Sequence, residues 1–264
     1  MPALLAQVIT EMKDRIQSAQ GISLFLDFDG TLVPITEDPM APQLDPDAAE
    51  TLKSIAVQEG VTTTIISGRA IEDLYSRIRL DSLIYAGNYG LEIFGRGLRF
   101  VEPAAWSRRE HLAELCEKLS EDLRPIDGVL VEHKGLTASI HYRQVAANDV
   151  PKVQAAVREG VARNGALFRL IPGRKVLEIV PRTDWHKGAA VRWINNHLEG
   201  PLLSIYLGDD ASDEEAFSVM PDAITVKVGN APVTCARYHL PDPAAVHELL
   251  LWLSTQETSR LRRV

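Results

Sequence analysis

Two aspartates, Asp27 and Asp29, stand at the end of the segment ISLFL-DFDGT. The five residues before them form a continuous apolar run, the pattern of a strand buried on both faces of a parallel sheet. If the chain stays extended through the pair, both carboxylates point the same way. At the carboxyl end of a parallel strand they reach the crevice where open α/β sheets bind ligands. Burying two like charges side by side is costly unless a cation or a shared proton relieves it. A polar strand-end turn accounts for one Asp before Gly, but poorly for this pair.

A second acidic cluster supplies a reason for a cation. LLSIYL-GDDASDEE is again a buried run ending in carboxylates: Asp209, Asp210 and Asp213. Oxygen ligands favour a hard cation, and a site that also holds a phosphate suits Mg²⁺. Taken alone, GDD-x-x-D reads equally well as a helix N-cap with acidic first-turn residues. Ser67-Gly68 follows the β-branched run VTTTII, where a hydroxyl and free amides at a helix start make an anion site, or an ordinary Ser cap. Lys187 opens another helix, where the dipole disfavours it. It needs an anionic partner there, unless it snorkels to the surface.

The elements that position these residues alternate. Strand 22–26 is followed by a Pro-rich loop (Pro34, Pro39, Pro42) and a helix capped by Asp45 with Pro46 at its first position, running to about Gly60. Then come strand VTTTII, helix AIEDLYSRIR and strand SLIYAGN. After Glu102-Pro103 the order becomes helix, two strands, helix, two strands; after Pro181 the first pattern returns. This predicts an α/β fold, a doubly wound parallel sheet with an inserted smaller α+β cap domain. The expected divisions are 1–103 and 182–264 for the core and 104–181 for the cap.

The formal net charge of −8 argues against general nucleic-acid binding. No apolar stretch reaches the roughly 18 residues of a membrane helix. The N-terminus does not read as a signal peptide. The two cysteines, Cys116 and Cys235, lack metal-ligand spacing and suit reduced thiols. A cytoplasmic enzyme is expected, a monomer, with neither nucleic acid nor membrane as a partner. SRLRRV at the end is expected to be a solvated tail.

DxDGT, Ser67, Lys187 and GDDxxD, in that order on strand and helix ends, resemble the haloacid dehalogenase superfamily of aspartate-dependent phosphatases. LDFDGTLVPI, SGR, GNYGLEI, SIHYR, VLEIVP, HKGAA and GDDASDEEAF resemble the trehalose-6-phosphate phosphatase family over residues 22 to about 230. Two positions depart from that family: Tyr89 where His is common, and Val180 where Arg is frequent. The resemblance implies that Asp27 attacks phosphorus and forms an aspartyl-phosphate, and that Asp29 is the general acid and base. It implies Mg²⁺ on Asp27, the Asp29 carbonyl and Asp209, with Asp213 a ligand directly or through water. Ser67, Gly68, Lys187 and the amides of Gly30 and Thr31 would hold the phosphoryl group. The partner would be a small-molecule sugar phosphate. Sugar contacts are expected from the cap residues Glu132, Lys134, His141, Arg143 and Glu178, with Arg69 and Asn88 at the rim. Alternating polar residues on a cap strand also describe a plain solvent face. Two further readings are a phosphatase for another glycosyl phosphate and a non-catalytic sugar-phosphate sensor.

Overall fold

The computed structural model describes residues 3–36, 38, 41–230 and 233–256. Pro39 of the Pro-rich loop and the SRLRRV tail lie outside them. The chain divides into two compact units, one of residues 1–100 with 185–264 and one of residues 101–184.

The larger unit is built on an eight-stranded sheet. Its centre is β1 (Ile22–Leu26), all five residues of which are buried. Parallel neighbours are β2 (Val61–Ile66) on one side and β10 (Leu203–Gly208) on the other, so Leu26 is level with both Ile65 and Leu207. The parallel run extends through β3 (Ile84–Gly87) at one end and through β11 (Ile224–Val228) and β12 (Tyr238–Leu240) at the other. Burial on both faces is why β1 reads as unbroken apolar sequence rather than alternating.

Helices α1 (Ala3–Ser18), α2 (Pro46–Ala56), α3 (Ile71–Ile78), α6 (Lys187–His197), α7 (Ala211–Ser218) and α8 (Pro243–Ser254) belong to this unit. Asp45 caps α2, accepting from the Asp47 amide, and Pro46 takes the first helical position. That helix stops at Ala56, four residues before Gly60.

Two strands escape the reading of the sequence. β4 (Glu92–Gly95) and β5 (Leu98–Val101) extend the sheet beyond β3, and β4 runs antiparallel to it. The link is the pair Arg96-Gly97, both at positive φ (49° and 81°), as a type I′ hairpin requires. The sheet is therefore mixed at this end. The edge strand β12, three residues long, is too short to give a periodic signal in the sequence.

The smaller unit is a four-stranded antiparallel sheet in the order β6 (Leu130–His133), β7 (Ala138–His141), β9 (Val176–Pro181), β8 (Phe168–Gly173). Helices α4 (Pro103–Leu123) and α5 (Val150–Arg163) complete it. Its core joins Leu112, Leu119, Val153 and Val157 of the helices to Ala138, Ile140, Leu177 and Ile179 of the strands. Ser139, His141 and Glu178 alternate with those strand residues and so occupy the sheet's other face.

The chain crosses between the units at Phe100 and Trp185. These two rings stack, centroids 4.5 Å apart and 22° between planes, and Trp193 packs beside Phe100 at 4.9 Å. No helix of the described residues is long and apolar enough to cross a membrane.

Candidate active site

The carboxyl ends of β10, β1 and β2 lie side by side and carry Asp209, Asp27 and Ser67 just beyond them. Asp27 continues the ladder, its amide donating to the Leu207 carbonyl at 3.0 Å. Ligand atoms of Asp27, Asp209 and Asp213 come within 4.8 Å of one another. Asp27 is 4% exposed and Asp213 fully buried. Lys187, 1% exposed at the start of α6, reaches into this group. Its ammonium donates to Asp27 Oδ1 and to Asp213 Oδ1, each at 2.8 Å. The anionic partner that its helix position demands is present.

Three carboxylates face one ammonium, so the cluster holds an excess of negative charge. Burial pushes the Asp27 carboxyl well above the ordinary range, with Lys187 opposing and the other carboxylates adding to the rise. Asp209 is pushed up to about 7 by burial and by the charges of Asp213 and Asp210. Burial works against the charged form of Lys187, yet Asp213 and Asp27 hold it protonated. A bound cation would relieve the remaining repulsion.

The carboxylates are not equivalent. Asp213 Oδ1 accepts from Lys187 and from the Tyr206 hydroxyl (2.7 Å), and Oδ2 from the amides of Asp209 and Asp210 (2.9 and 3.0 Å). Four protein donors occupy both of its oxygens, making it a brace for Lys187 and the loop. Asp210 caps α7 within a capping box shared with Asp213, accepting from Ser212 and Asp213 amides. Asp209 is the free one. Its Oδ1 is buried without a hydrogen-bond partner, and a Cβ added at Gly30 would lie 2.1 Å from its Oδ2. An orphaned buried carboxylate oxygen, oxygen donors throughout and excess negative charge fit a hard divalent cation such as Mg²⁺.

Asp29 has a cationic partner of its own. Its Oδ2 accepts from Arg69 Nε at 2.5 Å and its Oδ1 from Arg69 Nη2 at 2.8 Å. Each like charge has found its own cation, Lys187 for Asp27 and Arg69 for Asp29, which separates them. Arg69 also donates to Asp73 at 2.7 Å, and Asp73 accepts from Arg77 Nε. Burial lowers the Arg69 pKa, but its bonds to Asp29 and Asp73 raise it further than burial lowers it. Arg69 is thus beside the candidate acid–base group rather than at an outer rim.

The residues expected to cradle a phosphate lie in differing surroundings. Ser67 is buried, its amide donating to the Ala86 carbonyl and its hydroxyl accepting from the Arg69 amide at 3.3 Å. Thr31 Oγ1 is buried and has no hydrogen-bond partner. The Gly30 amide, expected to face a phosphate, donates to the Val33 carbonyl instead (2.7 Å). At Gly68 the Tyr89 ring packs so closely that a Cβ would lie 2.7 Å from it. The GNYG turn is held in left-handed backbone at Asn88, Tyr89 and Gly90 (φ 50°, 62° and 82°). Such conformations cost on the order of 1–3 kcal/mol at a non-Gly residue. They are fixed by Asn88 and Tyr89 amides donating to the carbonyls of Arg69 and Ser67, and by Trp185 Nε1 donating to the Gly90 carbonyl. Asn88 is not at a rim: it is 1% exposed and its amide side chain donates to Glu92 at 2.7 Å.

In the smaller unit, four of the five expected residues meet. His141 pairs with Glu132 at 2.9 Å, and Glu178 accepts from Lys134 and from the Ser139 hydroxyl, each at 2.9 Å. Register puts Glu132, Ser139 and Glu178 in one row across β6, β7 and β9. Glu178 and Lys134 are largely buried, unlike a plain solvent face. Arg143, past the end of β7, donates to the Arg174 carbonyl at 3.0 Å.

Among the residues that escape the sequence reading are Tyr206, Ser139, Asp73, Arg77, Glu92 and Lys227, whose ammonium donates to the Asp209 carbonyl. Lys227 carried a signal, a charge inside the buried run AITVKV of β11.

A match to the family described as Trehalose-phosphatase spans residues 25–240. The chain belongs to the trehalose-phosphatase family. A trehalose-phosphate phosphatase of Mycobacterium tuberculosis is 37% identical over 244 residues, covering 89% of this chain and 61% of the relative. The chain thus spans less than two thirds of that family member. An uncharacterized glycosyl hydrolase of the same organism is 40% identical over 222 residues, 81% of this chain and 16% of that protein. Among solved structures, a trehalose-6-phosphate phosphatase related protein superposes with a TM-score of 0.79 at 25% identity, over 88% of this chain and 96% of that one. The C-terminal domain of the Candida albicans trehalose-6-phosphate phosphatase gives 0.78 at 21% identity, over 95% and 96%. A haloacid dehalogenase-like hydrolase from Bacteroides thetaiotaomicron shares the fold, with a TM-score of 0.62 at 17% identity over 87% and 98%. The α/β architecture of the family is therefore that of haloacid dehalogenase-like hydrolases.

Proposed function

We propose that this chain is a Mg²⁺-dependent phosphatase that hydrolyses trehalose 6-phosphate to trehalose and phosphate through an aspartyl-phosphate on Asp27. The observation that carries the reading is the convergence of Asp27, Asp209 and Asp213 under Lys187 in a trehalose-phosphatase family member. Asp27, Asp209 and the Asp29 carbonyl would hold the cation, with Asp213 bracing them. Bound Mg²⁺ would neutralise charge on Asp27 and on the phosphate oxygens.

Lys187 occupies Asp27 Oδ1, which leaves Oδ2 as the attacking oxygen. That oxygen bonds to phosphorus as the bond from phosphorus to the sugar oxygen breaks. Asp29 gives its proton to the departing sugar oxygen. In the second step Asp29 takes a proton from water, the water oxygen bonds to phosphorus, and the bond to Asp27 breaks, restoring both carboxyl groups. In the pair with Arg69 both Asp29 oxygens accept, so proton transfer requires this carboxyl to turn away from at least one Arg69 donor. Ser67, Thr31 and Lys187 would hold the phosphoryl oxygens.

The polar face of the smaller unit offers Glu132, Lys134, Ser139, His141 and Glu178 to a sugar, groups that together donate and accept. We place the activity in the cytoplasm, where two free cysteines suit a reducing compartment. Phosphate release should be measured for trehalose 6-phosphate, sucrose phosphate, glycosyl-glycerate phosphates and glucose 6-phosphate. The expected result is clear preference for trehalose 6-phosphate, abolished in Asp27→Asn. Equal turnover across the panel would reject the substrate, and activity in Asp27→Asn would reject the nucleophile. A sensor would show binding without turnover by the unaltered chain.

A further inference from the structure

Lys227 lies within β11, where all five residues are buried and the other four carry no charge. An ammonium in such a run is costly unless every N–H finds an acceptor. Here it does. Nζ donates to the carbonyl of Asp209 at 2.5 Å and to that of Asp210 at 3.4 Å, and lies 3.6 Å from Glu214 Oε1. The register of β10 and β11 sets this up, pairing Lys227 with Gly208, the residue just before Asp209.

The consequence concerns Asp209. Its amide donates to Asp213 Oδ2 at 2.9 Å and its carbonyl accepts from Lys227. The peptide units on both sides are tied down, whereas carboxylate Oδ1 has no partner. Asp213 achieves the first tie from α7, and Lys227 achieves the second from a different strand. Asp210, whose carbonyl shares the ammonium, is at the same time fixed as the α7 cap.

We propose that Lys227 is a positioning residue for the divalent-cation site, aiming Asp209 through its backbone without touching cation or substrate. The inference rests on the cation-site reading above. Removing a group that orients a ligand typically weakens metal binding by roughly 10- to 100-fold. Binding of Mn²⁺ and Mg²⁺ to the full chain, without substrate, should be measured by calorimetry and by the cation-induced rise in melting temperature. Lys227→Met, close in shape but unable to donate, should raise the cation Kd at least tenfold and reduce the cation-induced rise. Lys227→Arg, which keeps charge and donors, should recover part of that loss. A role confined to folding would lower the melting temperature of the cation-free chain and leave Kd unchanged. Wild-type Kd in folded Lys227→Met would therefore overturn the proposal. Should that variant not fold, Lys227→Gln decides, since its single short amide can serve one carbonyl at most. Weaker cation binding supports the proposal, and unchanged binding overturns it. Asp209→Asn separates the two levels. If it binds cation as the wild type does, the site itself is misassigned; if it alone loses binding, only the role of Lys227 falls.

Discussion

Lys187→Met is the most demanding perturbation of the core. Methionine approximates the lysine stem but leaves Asp27 and Asp213, both buried, without the ammonium that each contacts at 2.8 Å. Exposed ion pairs contribute about 0–1 kcal/mol. Breaking a buried pair by removing one partner costs about 3–5 kcal/mol, because the charge left behind stays uncompensated. The larger unit comprises residues 1–100 and 185–264. For a domain in that size range each kcal/mol lowers the melting temperature by roughly 2–4 °C. The cation-free variant should therefore melt about 6–20 °C below the wild type at pH 8. The pH dependence has a definite sign. The Lys187 pKa is raised in the folded chain, so its contribution is complete below the ordinary lysine value of 10.5 and lost only above it. The Asp27 pKa is also raised, so its ionisation opposes folding as pH climbs from 3.8 through the folded value. Without Lys187 that opposition grows, and acidification from pH 8 to pH 5 should narrow the gap between variant and wild type. Calorimetry of both proteins across this range, with chelator, provides the comparison. A variant melting within about 2 °C of the wild type at pH 8 would refute the argument that the ammonium offsets two buried charges.

Arg69→Met should remove the two-pronged partner that positions Asp29, of which one prong can stay in place while the other oxygen transfers the proton. General acid–base help is worth about 10²–10⁴-fold, so kcat should fall far more on trehalose 6-phosphate than on p-nitrophenyl phosphate, whose leaving group needs no proton; equal losses would count against an Arg69–Asp29 partnership in proton transfer. Because the cation-free Asp209 carboxyl titrates near 7, cation affinity should rise as pH increases through that value, with proton release on binding seen by calorimetry in buffers of different ionisation heat. Gly30 is at φ +88° and its added methyl would lie 2.1 Å from Asp209 Oδ2, so Gly30→Ala should weaken Mn²⁺ binding and phosphate release together; unchanged binding would contradict the close approach.

Much of this site was legible because its residues sit at element ends, where periodicity breaks. The apolar runs before Asp27 and Asp209 disclosed two adjacent parallel strands. The acidic GDDASD stretch supported two readings; in the structure Asp210 is the helix cap, while Asp209 keeps a buried carboxylate oxygen without a partner. No one-dimensional pattern could divide those roles, because the division depends on donors from Lys187, Tyr206 and two backbone amides meeting at Asp213. The partner of Asp29 was illegible for a similar reason. Asp29 lies beyond the end of β1 at Leu26, and the arginine that it accepts from, Arg69, comes 40 residues later. The hairpin at Arg96-Gly97 was readable in principle, since a lone Gly after a polar residue between short β-prone segments marks a two-residue turn.

The stacked rings of Phe100 and Trp185 bear on mechanics. Here an offset ring pair, worth about 0.5–1.5 kcal/mol beyond its buried area, rivets one crossing to the other, and the indole N–H anchors the rivet to the Gly90 carbonyl. The turn beside Ser67 is thus tied through Trp185 to Phe100, and the emission of Trp185 reports on the packing at that turn.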